Sequence, residues 1–118
     1  MANDIPLVHK ITELYKLMYQ ANIQINKRDR FGISLKTEMI CLELLESSII
    51  ASYLPKNEKS TVLKILRVKI ELLKQLIRLT KELNVINDKK YIDWSGRLIE
   101  ISKMNNSWLN WATKESPS

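Results

Sequence analysis

The chain has 118 residues, with 19 Lys plus Arg against 13 Asp plus Glu and one His, a net charge of +6 at pH 7. This length holds one small domain, and 45% hydrophobic with 27% charged residues is a composition that excludes a disordered chain. Two glycines and three prolines supply too little turn chemistry for a many-stranded sandwich, a barrel or a glycine-rich nucleotide fold, which leaves long helices.

Leu7, Ile11, Leu14, Met18, Ala21 and Ile25 recur at alternating steps of four and three, the spacing of one helix face. Asp4 has N-cap chemistry and Pro6 suits the first turn, where a missing N–H breaks no helical bond. His9, the only histidine, reads as a surface or boundary residue of this helix. A polar turn, Asn26-Lys27-Arg28-Asp29, follows.

A second apolar stretch runs from Phe31 to Leu54, where Pro55 ends it by disfavouring helix at the residue before it. Leu35, Met39, Leu42, Leu45, Ile49 and Tyr53 spread widely around its axis, which predicts burial on more than one side. Cys41 lies within this stretch without a disulfide partner and reads as a small buried thiol.

The third helix begins after Asn57, a good N-cap, and runs to Asn84, a residue that tolerates the left-handed C-terminal position. The fourth begins at Asn87 or Asp88 and carries Tyr91, Trp94, Leu98, Ile101, Asn105, Trp108 and Ala112 at steps of three and four. This spacing favours Trp94 and Trp108 as core or subunit interface over a base-stacking platform, and leaves Trp111 open.

Residues 1–118 therefore form one domain with helices at roughly 5–26, 30–54, 58–84 and 88–113, each about 35 Å long. Short polar connections between them predict an all-α, antiparallel up-down-up-down four-helix bundle. The second and fourth helices offer more apolar positions than one such core needs, which motivates self-association. The start of the chain lacks the pattern of a signal peptide and no stretch approaches ~18 uncharged apolar residues, so the expectation is a cytoplasmic protein without membrane contact.

The charge is uneven, with +4 on residues 57–84 alone. There Lys64, Arg67, Glu71, Lys74, Arg78 and Lys81 follow steps of three and four and share a strip ~100° wide. Five cations on one face suit a phosphate backbone, and a merely solvated face is the plain alternative. Lys69 sits instead among Ile65, Val68, Leu72, Leu73 and Leu76, so it must snorkel or pair with a carboxylate.

Catalytic patterns are lacking. A di-iron bundle needs Glu-x-x-His pairs, which a single histidine cannot supply, and no phosphate-binding glycine loop, nucleophile elbow or Cys-x-x-Cys occurs. Pairing Cys41 with His9 would need an orienting group and an oxyanion site that the sequence does not offer. No enzymatic activity, metal or cofactor is expected.

Four segments carry a resemblance: Lys27-Arg28-Asp29-Arg30-Phe31-Gly32, the LELLESSIIASY end of the second helix, LRVKIELLKQLIRLTKELNVINDKKY, and LIEISKMNNSWLNW. In order and spacing over residues 5–113 the chain resembles the accessory variability determinant (Avd) proteins of diversity-generating retroelements. These belong to a wider four-helix-bundle group that includes proteins encoded in intervening sequences of bacterial 23S rRNA genes. The most specific parts are the Leu- and Arg-rich third helix leading into Tyr91 and the pattern of Glu100, Ile101, Met104 and Trp108. Proline common in the family is absent around Lys27, and Asn106-Ser107 replaces a Gly-Gly pair before the last family Trp. The Ile-Ala-Glu-Gly type of segment of the intervening-sequence branch is also missing, which favours the retroelement branch.

The resemblance implies a ring-like homopentamer whose basic outer surface contacts the reverse transcriptase and its template RNA, or the RNA–cDNA product, and supports mutagenic cDNA synthesis without catalysing it. Lys74 and Arg78 match the family's basic third-helix positions; Lys64, Arg67 and Lys81 extend that surface, and Lys27, Arg28 and Arg30 form a second patch. The alternatives are an oligomeric helical adaptor without an RNA role and a ribosomal-RNA-associated protein of the intervening-sequence branch.

Overall fold

The computed structural model describes residues 5–114. Four long helices, α1 (Pro6–Asn22), α3 (Ile33–Tyr53), α4 (Lys56–Glu82) and α5 (Asp88–Thr113), are joined by short connections, the first of which contains a one-turn helix, α2 (Lys27–Arg30). No strand occurs among the described residues. The body measures 57 × 21 × 19 Å, two helices wide in each short direction at about 10 Å per helix. α4 packs on α3 and α5, and α1 closes the bundle against the same two helices.

Local chemistry sets the helix ends. Pro6 opens α1 with Ile5 at the N-cap, while Asp4, the expected cap, lies outside the described residues. α1 ends at Asn22, earlier than its apolar spacing suggests. The buried Asn22 amide donates to Glu38 Oε2 of α3 at 2.7 Å, and Asn26 starts a new turn by accepting from the Asp29 N–H. Leu54, extended before Pro55, ends α3 as expected. Pro55, and not Asn57, holds the N-cap of α4; Asn57 lies inside the first turn.

Asn84 takes a left-handed φ of 59°, and the Val85 N–H reaches back to the Thr80 carbonyl at 2.8 Å while the Asn84 N–H bonds Lys81. This is the Schellman closure that Asn can enter at low cost. Asn87 caps α5 by accepting from the Lys90 N–H at 2.8 Å.

The core consists of Leu7, Ile11, Leu14 and Met18 of α1, Leu63, Leu66, Ile70, Leu73 and Ile77 of α4, and Trp94, Leu98, Ile101 and Leu109 of α5, with Ile40, Cys41 and Leu44 of α3. Burial raises the Cys41 thiol to about 12, aided by the nearby Glu38 carboxylate. α3 departs from expectation. Its inner face is small and partly polar, with Ser34, Thr37, Ser47, Ser48 and Ala51 buried, whereas Leu35, Met39, Leu42, Ile50 and Tyr53 are exposed. Within the protomer α3 is buried on one side only.

α4 carries a comparable outward set: Ile65, Val68, Leu72 and Leu79 are exposed, and only Leu73 of the five apolar residues around Lys69 is fully buried. The surplus apolar surface thus lies chiefly on α3 and α4, the second and third predicted helices, and less on α5, where Ile92, Ile99 and Trp111 are exposed. Among the described residues no helix is long and apolar enough to cross a membrane.

Candidate nucleic-acid and partner interface

At 100° per residue the outer surface of α4 divides lengthwise. Lys64, Arg67, Lys74, Arg78 and Lys81 occupy the flank toward α5, and Ile65, Val68, Leu72 and Leu79 form a stripe of about 60° toward α3. Lys69 marks the α3 edge, where its ammonium meets Glu43 Oε1 at 3.4 Å and Ser47 Oγ at 3.5 Å. It pairs across the helix junction, as its place among apolar residues required, and takes no part in the basic flank.

The five strip cations differ in their surroundings. Lys74 is 3.0 Å from Glu71, Arg78 is 4.0 Å from Glu82, and Lys81 is 4.0 Å from Asp88 with its ammonium 5.1 Å from the Tyr91 ring centroid. Lys64 and Arg67 are exposed and, among the described residues, meet no carboxylate within 4.0 Å. Exposed pairs of this kind hold side chains loosely and exchange readily for a phosphate oxygen.

Lys74 and Arg78 also line a groove of about 320 Å³ between α4 and α5, completed by Gln75, Tyr91, Ser95 and Ile99. The spacing of α4 alone could not reveal this groove, because half of its wall belongs to another helix.

The second basic patch stands on α2. Lys27 and Arg28 are exposed, Arg28 Nε lies 3.4 Å from Asp29, and Arg30 donates to the Ile23 carbonyl at 3.4 Å with its guanidinium 4.9 Å from the Phe31 ring. Asn26 and Asp29 share a polar groove of about 320 Å³ with Asn84, Val85 and Lys90. The fold therefore brings the α2 turn to the same end of the bundle as the α4–α5 connection. Lys89 and Lys90, both exposed, join the basic residues there, and sequence reasoning did not include them.

Two other sequence readings meet the structure here. His9 is exposed and 3.9 Å from Glu13, while Cys41 is buried with its thiol pointing at the Ile11 carbonyl. Trp94 is buried in the core and Trp108 packs partly against it, beneath the Lys59 ammonium; Trp111 is exposed under Lys56. No group of three or more His, Cys, Asp and Glu among the described residues could hold a metal ion.

Fold and surface together define a small all-α bundle with one helix divided between a basic and an apolar flank. A model of the bAvd-like family matches residues 6–112, nearly the whole chain, and the protein belongs to that family. That family is of an accessory, non-catalytic type. No curated protein and no solved structure matches the chain.

Proposed function

We propose that this protein is the accessory subunit of a diversity-generating retroelement, a single-domain cytoplasmic bundle that binds the reverse transcriptase and its template RNA and supports mutagenic cDNA synthesis. The observation that carries the reading is the lengthwise division of α4, which lets one helix offer a basic flank to RNA and an apolar flank to a second copy of this chain. Its basic flank offers five cations to phosphates, and each phosphate neutralised releases counterions and favours binding at low salt. Lys27, Arg28 and Arg30 form a second contact at the end of the bundle.

The apolar flank, continuous in character with Leu35, Met39 and Leu42 of α3, is the self-association face. A ring of five protomers is the assembly that the family resemblance implies, with the basic flanks turned outward. An up-down-up-down order of helices is supported by the cross-helix contacts. Lys59 reaches Ala51 while Lys69 reaches Glu43, so residue numbers rise on α4 as they fall on α3.

The pairing of Lys74, Arg78 and Lys81 with carboxylates favours a second reading, a helical adaptor whose charges only keep it in solution. One experiment separates the two. Lys74→Glu with Arg78→Glu should leave helix content and oligomer size intact while abolishing capture of template RNA at ~150 mM salt, where non-specific binding is weak. Unchanged capture removes the basic flank from the reading, and absence of capture by the wild type supports the adaptor.

A further inference from the structure

We infer that the α4–α5 groove is a subsite for one unpaired nucleotide of single-stranded RNA, with Tyr91 as the stacking surface and Lys74 and Arg78 as the phosphate holders. This rests on the reading of the basic flank as an RNA-binding surface and names what that surface selects.

A row of cations alone cannot distinguish a duplex from a single strand, because both present phosphates. This groove is more than a row. Its volume of about 320 Å³ lies at the small end of ligand-sized sites, on the scale of one nucleotide. Tyr91, in the first turn of α5, is half-buried and packed against the core, so its ring is held in place before any ligand arrives. Stacking on such a fixed ring costs little ordering of the protein.

Opposite chemistries meet at the same wall. Ile99 adds apolar surface, the Gln75 amide and Ser95 hydroxyl can donate to and accept from a base edge, and the two cations stand on the α4 side. Lys81 holds its ammonium over the Tyr91 ring, 5.1 Å from the centroid, so a stacking base displaces this half-exposed side chain, which then supplies a third charge to the phosphates. Unpaired bases stacked on aromatics and held by flanking cations are the usual mode of single-stranded RNA recognition. The tryptophans do not compete for this role, since Trp94 is buried and Trp111 stands at the opposite end of α5.

The test uses the full chain and two probes, a 12-nucleotide oligouridylate and a 12-base-pair RNA duplex, titrated by fluorescence anisotropy over a series of salt concentrations. Tyr91→Ala should weaken oligouridylate binding about 5- to 100-fold and leave the duplex and the salt slope unchanged. Tyr91→Phe should retain binding, and Arg78→Gln should lower the slope by about one. Because Tyr91 also packs on the core, Ser95→Leu provides a second variant that fills the groove without changing its charge or removing core surface; it should give the same selective loss. Equal effects of Tyr91→Ala and Ser95→Leu on both probes, or no effect on either, overturn the subsite while leaving the basic flank as an RNA surface. No binding of either probe by the wild type overturns the flank reading and the subsite together.

Discussion

The ammonium of Lys59 on α4 donates to the carbonyl of Ala51 on α3 at 2.6 Å, with the Ser52 carbonyl at 3.5 Å. These are among the last carbonyls of α3, at the negative end of its dipole, and the Ala51 carbonyl otherwise accepts only from the Leu54 N–H at 3.3 Å. Lys59 thus closes α3 from the next helix, across the Pro55 turn, with the Trp108 ring 5.6 Å away from its charge. It is buried, so the contact is shielded from water.

Lys59→Met should keep the packing of the stem but strip α3 of this closure. Hydrogen bonds to charged groups contribute about 1.5–3 kcal/mol, and the Ala51 carbonyl would keep only its 3.3 Å bond from the Leu54 N–H. At fixed protein concentration the urea midpoint should fall by roughly 1 M with little change in slope, for slopes of ~1–3 kcal/mol per M. An unchanged midpoint would show that water satisfies those carbonyls equally well.

The two glycines should respond in opposite directions. A Cβ on Gly96, exposed within α5, meets nothing within 4 Å, so Gly96→Ala should raise stability by about 1 kcal/mol through helix propensity. A Cβ on Gly32 would stand 2.8 Å from the Arg28 carbonyl oxygen, which is backbone and cannot move aside cheaply. Gly32→Ala should therefore lower stability by about 1–3 kcal/mol. Thermal melts of both variants check the pair of signs.

Much of this architecture is readable from spacing, and what is not has a physical cause. Periodicity finds α5 and its inward line through Trp94, Leu98, Ile101, Asn105 and Ala112 because large side chains recur there at steps of three and four, even though Ile92, Ile99 and Trp111 are exposed. On α3 it finds the helix but not its inward side, because beside Ile40 and Leu44 the buried residues are small ones, Thr37, Cys41, Ser47, Ser48 and Ala51, while Leu35 and Leu42 are exposed. Lys59 carries no sign of its role in sequence, since a cation that caps a neighbouring helix looks like any other in the first turn. The basic strip on α4 is legible as a strip; that Tyr91 and Ser95 complete a groove with it depends on how α5 docks.

Self-association should fail when the apolar flank is charged. Val68→Glu with Leu72→Glu alters two exposed residues, at 66% and 42%, so the protomer should keep its helix content. Sedimentation velocity should then report a smaller species than the wild type. An unchanged sedimentation coefficient would move the interface elsewhere.

Cys41 adds a pH dependence with a defined sign. Its thiol is raised from 9.0 to about 12 on folding, chiefly by burial and then by Glu38, so the folded state holds the proton more tightly than the unfolded one. The corresponding stability is complete below pH 9 and is lost as pH rises toward 12. Tyr15, also raised by burial, acts in the same direction. Cys41→Ala should flatten the alkaline part of the stability curve, and the native thiol should resist a disulfide reagent at pH 8 until urea exposes it. Rapid labelling of the native protein would contradict a buried Cys41.

In the proposed function the basic flank of α4 holds a retroelement's RNA in company with its reverse transcriptase. Affinity purification of the tagged protein from its own cells at ~150 mM salt, with sequencing of bound RNA and identification of bound proteins, tests this directly. The wild type should recover one non-coding RNA together with a reverse transcriptase, and Lys74→Glu with Arg78→Glu should recover neither at the same oligomer size. Recovery of ribosomal RNA, or of nothing that survives this salt, would contradict it.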